Sequence, residues 1–144
     1  MSEKLIVDAS VAIKWLVPEQ GWAIARRLFE AHSLTAPQLI LAECANILWK
    51  KVRRAELTRD EAVQAAEKFV GLELDLVPLH ELMVPATEIA AYLSHPAYDC
   101  FYLAIAVLDD LRLVTADESL LRVIDQRGDR LLKALCHPLS HFEA

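Results

Sequence analysis

Lys4-Leu5-Ile6-Val7-Asp8-Ala9-Ser10-Val11 is the stretch that decides the fold. A run as short and apolar as 4–7, partly β-branched, reads as a buried strand. It stops at Asp8. Asp8-Ala9-Ser10 then reads as a turn, with Ser10 placed to N-cap a helix from Val11 that Pro18 ends.

The same alternation repeats outward. Residues 20–31 read as a helix and 33–36 as a strand. Pro37 fits the first turn of a helix reaching about residue 54, where its missing N–H costs nothing. Thr58 opens another helix, with Glu61 three residues on to complete a capping box. A strand at 74–78, helices at 81–93 and 98–110, a strand at 112–115, a helix at 118–125 and a final strand at 131–135 complete the order. Strands alternating with helices argue for the α/β class, with a mostly parallel sheet covered by helices on both faces. No repeat or linker divides the chain, so residues 1–144 are expected to form one domain. Open sheets of this kind carry their sites at the carboxyl ends of the strands.

Composition narrows the choice. Of 144 residues, 55% are hydrophobic and 25% charged, which is ample for a core and excludes disorder as the main state. Three Gly and six Pro argue against most all-β designs. Cys44, Cys100 and Cys136 are odd in number, widely spaced and set among apolar residues, as expected of buried thiols in an intracellular protein. No run is long enough to span a bilayer, and Asp8 cuts the first apolar run too short for a signal-peptide core. A cytoplasmic location with no membrane partner is therefore expected. The net charge of −6 excludes a bulk-basic nucleic-acid binder. Contact with RNA or DNA would need a local basic patch or a bound cation.

Four acids stand in telling places. Asp8 directly follows the first strand, Asp117 lies two residues beyond the strand ending at Thr115, and Asp99 falls at the start of an apolar helix. Glu43 interrupts the apolar run Leu39-Ile40-Leu41-Ala42-Glu43-Cys44-Ala45, sharing a helix face with Asn46 and Lys50. Each has a plainer reading. Asp8 can be a turn acid, Asp117 a helix cap, Asp99 a complement to its helix dipole, and Glu43 part of a narrow solvent stripe. Their convergence on one sheet edge favours chemistry. Carboxylates about 4 Å apart repel by roughly 4 kcal/mol per pair at an effective dielectric of 20, so a fold avoids such a cluster unless a cation sits in it. A hard divalent ion with oxygen ligands is the natural occupant. It can activate water, neutralise a phosphate and supply the positive charge that the chain as a whole lacks.

These motifs resemble those of PIN domains. Leu5-Ile6-Val7-Asp8-Ala9-Ser10-Val11 is similar to the family's first strand and turn, and the segment from Pro37 through Glu43 to Asn46 to its second acidic motif. Tyr98-Asp99-Cys100-Phe101-Tyr102-Leu103-Ala104 is similar to its third motif, and Val114-Thr115-Ala116-Asp117-Glu118 to its fourth. A small single-domain member of this kind resembles the VapC-type toxins of toxin–antitoxin pairs. The resemblance implies a three-layer α/β/α sandwich and a Mg²⁺- or Mn²⁺-dependent endoribonuclease. Asp8 and Asp99 would be direct metal ligands; Glu43 and Asp117 would act through water or a second ion. Ser10 and Thr115 would support the acids. Metal-activated water would attack a phosphodiester in line, leaving a 5′-phosphate and a 3′-hydroxyl. Ala9 stands where many relatives have Thr. The resemblance further implies a homodimer held by a cognate antitoxin, with Trp15, Leu16 and Trp22 either contacting that partner or belonging to the core or dimer.

Other residues have two readings as well. Lys50, Lys51, Arg53 and Arg54 either complement a helix C-terminus or contact an RNA backbone near the acids. Cys44 and Cys100 each follow a site acid, and helical geometry turns them toward the core. His137 and His141 flank Pro138 without a carboxylate motif, which makes a zinc site improbable. A haloacid-dehalogenase-type phosphatase would want a second Asp where Ser10 stands. A partner-binding module of the receiver or silent PIN type would not need all four acids.

Overall fold

The computed structural model describes residues 3–143, so residues 1, 2 and 144 of the expected single domain lie outside the described residues. Strand β1 (Lys4–Val7) leads into α1 (Ala9–Leu16), then α2 (Trp22–Ala31), β2 (Ser33–Pro37), α3 (Leu39–Arg53) and α4 (Arg59–Val70). The chain continues through β3 (Asp75–Val77), α5 (Leu79–Leu93), α6 (Ala97–Asp109), β4 (Leu113–Thr115), α7 (Glu118–Arg127), α8 (Arg130–Leu135) and β5 (Cys136–Pro138), and a 3₁₀ turn follows at Leu139–Phe142. The strands form one sheet in the order β3-β2-β1-β4-β5, and every pairing is parallel. Among the described residues no helix is long and apolar enough to cross a membrane.

Strand periodicity builds the three layers. Ile6 and Leu113 face a core shared with Ile40, Leu82, Leu103 and Ile105 of α3, α5 and α6. Leu5, Val7, Leu34 and Val114 face the opposite side, against Val11, Ala25 and Leu28 of α1 and α2. A third cluster, Ile13, Val17, Leu48 and Ala65, joins α1, α3 and α4. The result is an α/β/α sandwich with an all-parallel sheet, as expected. The three thiols are buried and free, and burial pushes Cys44 and Cys136 up to about 12 and Cys100 to about 11.

Three local expectations are corrected. Helix α1 begins at Ala9 rather than Val11, and its cap is Asp8, not Ser10. One Asp8 oxygen accepts from the N–H groups of Ser10 and Val11. Pro37 ends β2 opposite Val77 instead of opening α3, and Gln38 N–H donates to Val77 O at 2.9 Å. Proline fits there because the last residue of a strand need not donate to the ladder. The final strand was expected at 131–135, but that run is helical in α8, where Asp129 accepts from Leu132 N–H at 2.9 Å. The strand is the next three residues, with Cys136 opposite Leu113. A five-residue stretch, apolar but for Lys133, is too short for periodicity to separate helix from strand, and the Asp129 cap tips it toward helix. Thr58 and Glu61 do form the expected capping box.

The strand order places the site. From β1 the chain steps to β2 and β3 on one side, then returns to β4 and β5 on the other. The order therefore reverses between β1 and β4, and a crevice opens there beyond their carboxyl ends.

Candidate functional site

Asp8 leaves β1 and Asp117 lies just beyond β4, on either side of that crevice. Glu43 reaches it from α3 and Asp99 from the first turn of α6. All four acids line one cleft of about 270 Å³, together with Ser10, Asn46, Lys50 and Tyr102. The Glu43-Asn46-Lys50 face is thus one wall of a polar cleft.

Each carboxylate is fixed by donors of its own. Asp8 is only 6% exposed. Its Oδ1 accepts from Ser10 N–H at 3.1 Å, Ser10 Oγ at 2.5 Å and Val11 N–H at 3.3 Å. Its Oδ2 accepts from the buried Thr115 hydroxyl. Ser10 Oγ also accepts Ala116 N–H at 2.9 Å and Thr115 Oγ1 accepts Asp117 N–H at 3.0 Å, so two hydroxyls stitch the end of β1 to the loop after β4. Tyr102, almost wholly buried, donates to Glu43 Oε1 at 2.5 Å. His95 Nε2 lies 2.6 Å from Asp99 Oδ2. Asp117 caps α7, its Oδ1 accepting from Ser119 and Leu120 N–H at 2.9 and 3.2 Å. Asp117 therefore caps its helix and lines the cleft at the same time.

The electrostatics show strain of a useful kind. Burial raises the Asp8 carboxyl to about 6, against the lowering pull of Ser10, Thr115 and the Val11 N–H; the Asp99 charge adds to the rise. Burial, then Asp99, also raises Glu43, with Tyr102 opposing. Burial and the Glu43 charge hold the Tyr102 phenol protonated as a donor. Among the described residues, Glu43 Oε2, Asp99 Oδ1 and Asp117 Oδ2 accept no protein hydrogen bond. These are hard oxygen donors in a cleft that penalises uncompensated negative charge, and they suit a divalent cation. Among the described residues no group of three His, Cys, Asp or Glu side chains is drawn together tightly enough to cage an ion. A cation here must complete its shell with water and phosphate oxygens, the habit of Mg²⁺.

The basic cluster divides. Lys50 lines the acidic cleft. Lys51 is taken up by Glu19 at 2.5 Å and Glu56 at 3.7 Å, a brace between α3 and the segment after α1. Arg53 lies over the Trp49 ring at 4.8 Å, and Arg54 caps α3. Trp15 packs on the core and donates to Ala25 O at 2.9 Å, while Trp22 stays 47% exposed. Together with Leu16, Val17, Pro18 and Phe29 they line an apolar groove of about 510 Å³. His137 and His141 stack at 4.8 Å, and burial lowers His137.

Two residues that hold cleft acids were not singled out from the sequence, His95 behind Asp99 and Tyr102 on the cleft wall. Only the four-residue spacing of His95 and Asp99 could have flagged the first, and Pro96 obscures it. Tyr102 stood inside the third quoted motif, three residues after Asp99, but nothing in that apolar helix marked it as the partner of Glu43.

Comparison with known proteins gives the chain its relatives. The family model described as PIN domain matches residues 5–125. Ribonuclease VapC3 of Pyrobaculum aerophilum is 33% identical over 120 residues, covering 81% of this chain and 92% of that protein. Ribonuclease VapC9 of Mycobacterium tuberculosis is 34% identical over 113 residues, covering 78% and 85%. Among solved structures, PAE2754 from Pyrobaculum aerophilum superposes with a TM-score of 0.67 at 23% identity, covering 97% of this chain and 91% of that one. VapBC2 from Rickettsia felis, bound to a DNA fragment from its promoter, gives 0.63 at 11% identity, covering 94% and 98%.

Proposed function

The chain belongs to the PIN-domain family, and from that premise we propose that it is a divalent-cation-dependent endoribonuclease, the toxin of a toxin–antitoxin pair. The observation that carries the reading is the meeting of Asp8, Glu43, Asp99 and Asp117 in one cleft at the point where strand order reverses. The VapC relatives named ribonucleases support RNA as the substrate class.

Asp8 and Asp99 would hold the ion, with Glu43 and Asp117 acting through water or a second ion. When bound, Mg²⁺ or Mn²⁺ supplies positive charge to the scissile phosphate and makes a coordinated water more acidic. The chain's own groups do the rest. Tyr102 occupies Glu43 Oε1, so Oε2 is the atom that takes the proton from water as the oxygen attacks phosphorus. The bond from phosphorus to the 3′-oxygen breaks and that oxygen takes a proton from solvent water, leaving a 5′-phosphate and a 3′-hydroxyl. Lys50, on the cleft wall, is placed to meet the neighbouring phosphate. The apolar groove around Trp15, Leu16 and Trp22, rimmed by Lys14, Arg26 and Lys68, suits an amphipathic segment of the antitoxin. A homodimer and a cytoplasmic location belong to the same proposal.

The test is incubation of protein stripped of any co-purified partner with total cellular RNA, with and without Mn²⁺ or Mg²⁺, followed by mapping of the new ends. Discrete metal-dependent cuts with 5′-phosphates, absent with Asp99→Asn, are expected. Cuts that persist in the mutant would point to a contaminating nuclease and remove the support for the reading, whereas no cutting together with no metal binding would overturn it and move the chain to the partner-binding modules.

A further inference from the structure

We propose that His95 is the positioning residue of Asp99: it holds Oδ2 and so presents Oδ1 to the cation. This rests on the metal-dependent reading above. A carboxylate only accepts hydrogen bonds, so the 2.6 Å contact requires a proton on His95 Nε2, in the neutral Nε2–H ring and the protonated ring alike. Although His95 lies in the loop between α5 and α6, its side chain is only 14% exposed.

That loop is built rather than loose. Ser94 turns it with a left-handed φ of 50°. His95 N–H donates to Ala90 O at 3.2 Å. Arg127, reaching from α7, donates through Nη1 to Leu93 O at 2.9 Å and Ser94 O at 3.0 Å. Pro96 then fixes the entry into α6. The imidazole is thus held from both ends of its loop before it touches Asp99.

Asp99 has greater need of such a partner than the other cleft acids. Asp8 is held by two hydroxyls and two backbone N–H groups, Glu43 by a buried phenol, and Asp117 by its own helix. Without His95, no hydrogen bond among the described residues would restrain the Asp99 carboxylate, and its χ angles would be set by packing alone. Partners behind a ligand of this kind typically contribute about 10- to 100-fold in metal affinity.

The experiment is calorimetric titration of the whole chain with Mn²⁺, alongside thermal unfolding in EDTA, for the native protein, His95→Ala, His95→Gln and Asp99→Asn. His95→Ala is expected to weaken Mn²⁺ binding about 10- to 100-fold. His95→Gln, whose amide offers a donor at similar reach, is expected to restore most of it. The metal-free melting temperatures should stay close together, because what is lost is alignment and not packing. If His95→Ala fails to fold, His95→Leu, closer in volume and without a donor, takes its place. Native affinity in the donor-free variant overturns the proposal, and so does equal weakening in His95→Gln. A native chain that binds no Mn²⁺ overturns the metal reading and this inference with it. Native binding that His95→Ala leaves unchanged overturns this inference alone.

Discussion

The two edges of the sheet both carry acids in hollows, and they treat them oppositely. At the amino edge a hollow of about 600 Å³ is lined by Glu30, His32, Glu73 and Asp75. There Asp75 is paired with Lys4 at 2.5 Å, and nearby Glu3 takes Arg112 through two hydrogen bonds at 2.8 and 2.5 Å. Cations neutralise those acids, and Arg112 pulls Glu3 below its ordinary value. At the carboxyl edge the smaller hollow of about 270 Å³ holds four acids fixed by hydroxyls, a phenol, an imidazole and backbone N–H groups. Burial lifts Asp8 and Glu43. Cavity size therefore says little here. A carboxylate paired with Lys or Arg is already neutralised, whereas one held in place by neutral donors still wants a cation.

The sharpest break in this comparison is chemical. On the proposed function, Asp99→Asn should lower RNA cleavage by more than about 100-fold, since a proposed direct ligand should outweigh the supports behind it. Asp75→Asn at the other edge should leave the cleavage rate within about 2-fold, its pair being exposed and weak. Equal losses would mean that the acids matter only for folding.

A second contrast lies in stability against pH, and its signs are opposite. The folded Asp8 carboxyl titrates at about 6 against an ordinary 3.8. The folded state thus binds more protons than the unfolded chain between those values, and metal-free stability falls as pH rises through that window. Two units amount to about 3 kcal/mol. Asp8→Asn should therefore raise metal-free stability at pH 7 by about 1–3 kcal/mol while abolishing Mn²⁺ binding, as urea unfolding in EDTA would show. Glu3 is lowered by Arg112 and runs the other way, its contribution present at neutral pH and lost as pH falls through its folded value. That pair is largely solvated, so Glu3→Gln should cost less than about 1 kcal/mol. Between these effects stands Thr115→Val, which removes the donor to Asp8 and the acceptor of Asp117 N–H from a fully buried position. A loss of about 1–3 kcal/mol is expected at pH 7 in the same unfolding assay.

Much of this could be read along the chain because it is written locally. The alternation of short apolar runs with helical segments implied a parallel sheet, and Asp8 and Asp117 were visible as acids directly after strands. Glu43 stood out as an acid in an apolar helix. Errors arose where local signals competed. Ser10 and Asp8 are both good caps; Asp8 won because its position at the end of β1 aims its carboxylate at the first helical N–H groups. Lys51 looked like Lys50, but one turns to Glu19 and the other to the cleft. Adjacent helical residues point about 100° apart, and only the packing of α3 decides which direction is which.

By itself the sequence determined the class of fold, the acids and the apolar faces, because periodicity and residue type act over a few neighbours. Only the tertiary structure decided what holds Asp8 and Glu43 from across the chain. Thr115 meets Asp8 across 107 positions and Tyr102 meets Glu43 across 59. The reversal of strand order between β1 and β4 that brings such partners together is a property of the whole sheet. Hydrogen bonds made over such distances leave no period in the chain, and whether an acid is neutralised, merely fixed, or poised for a cation depends on them.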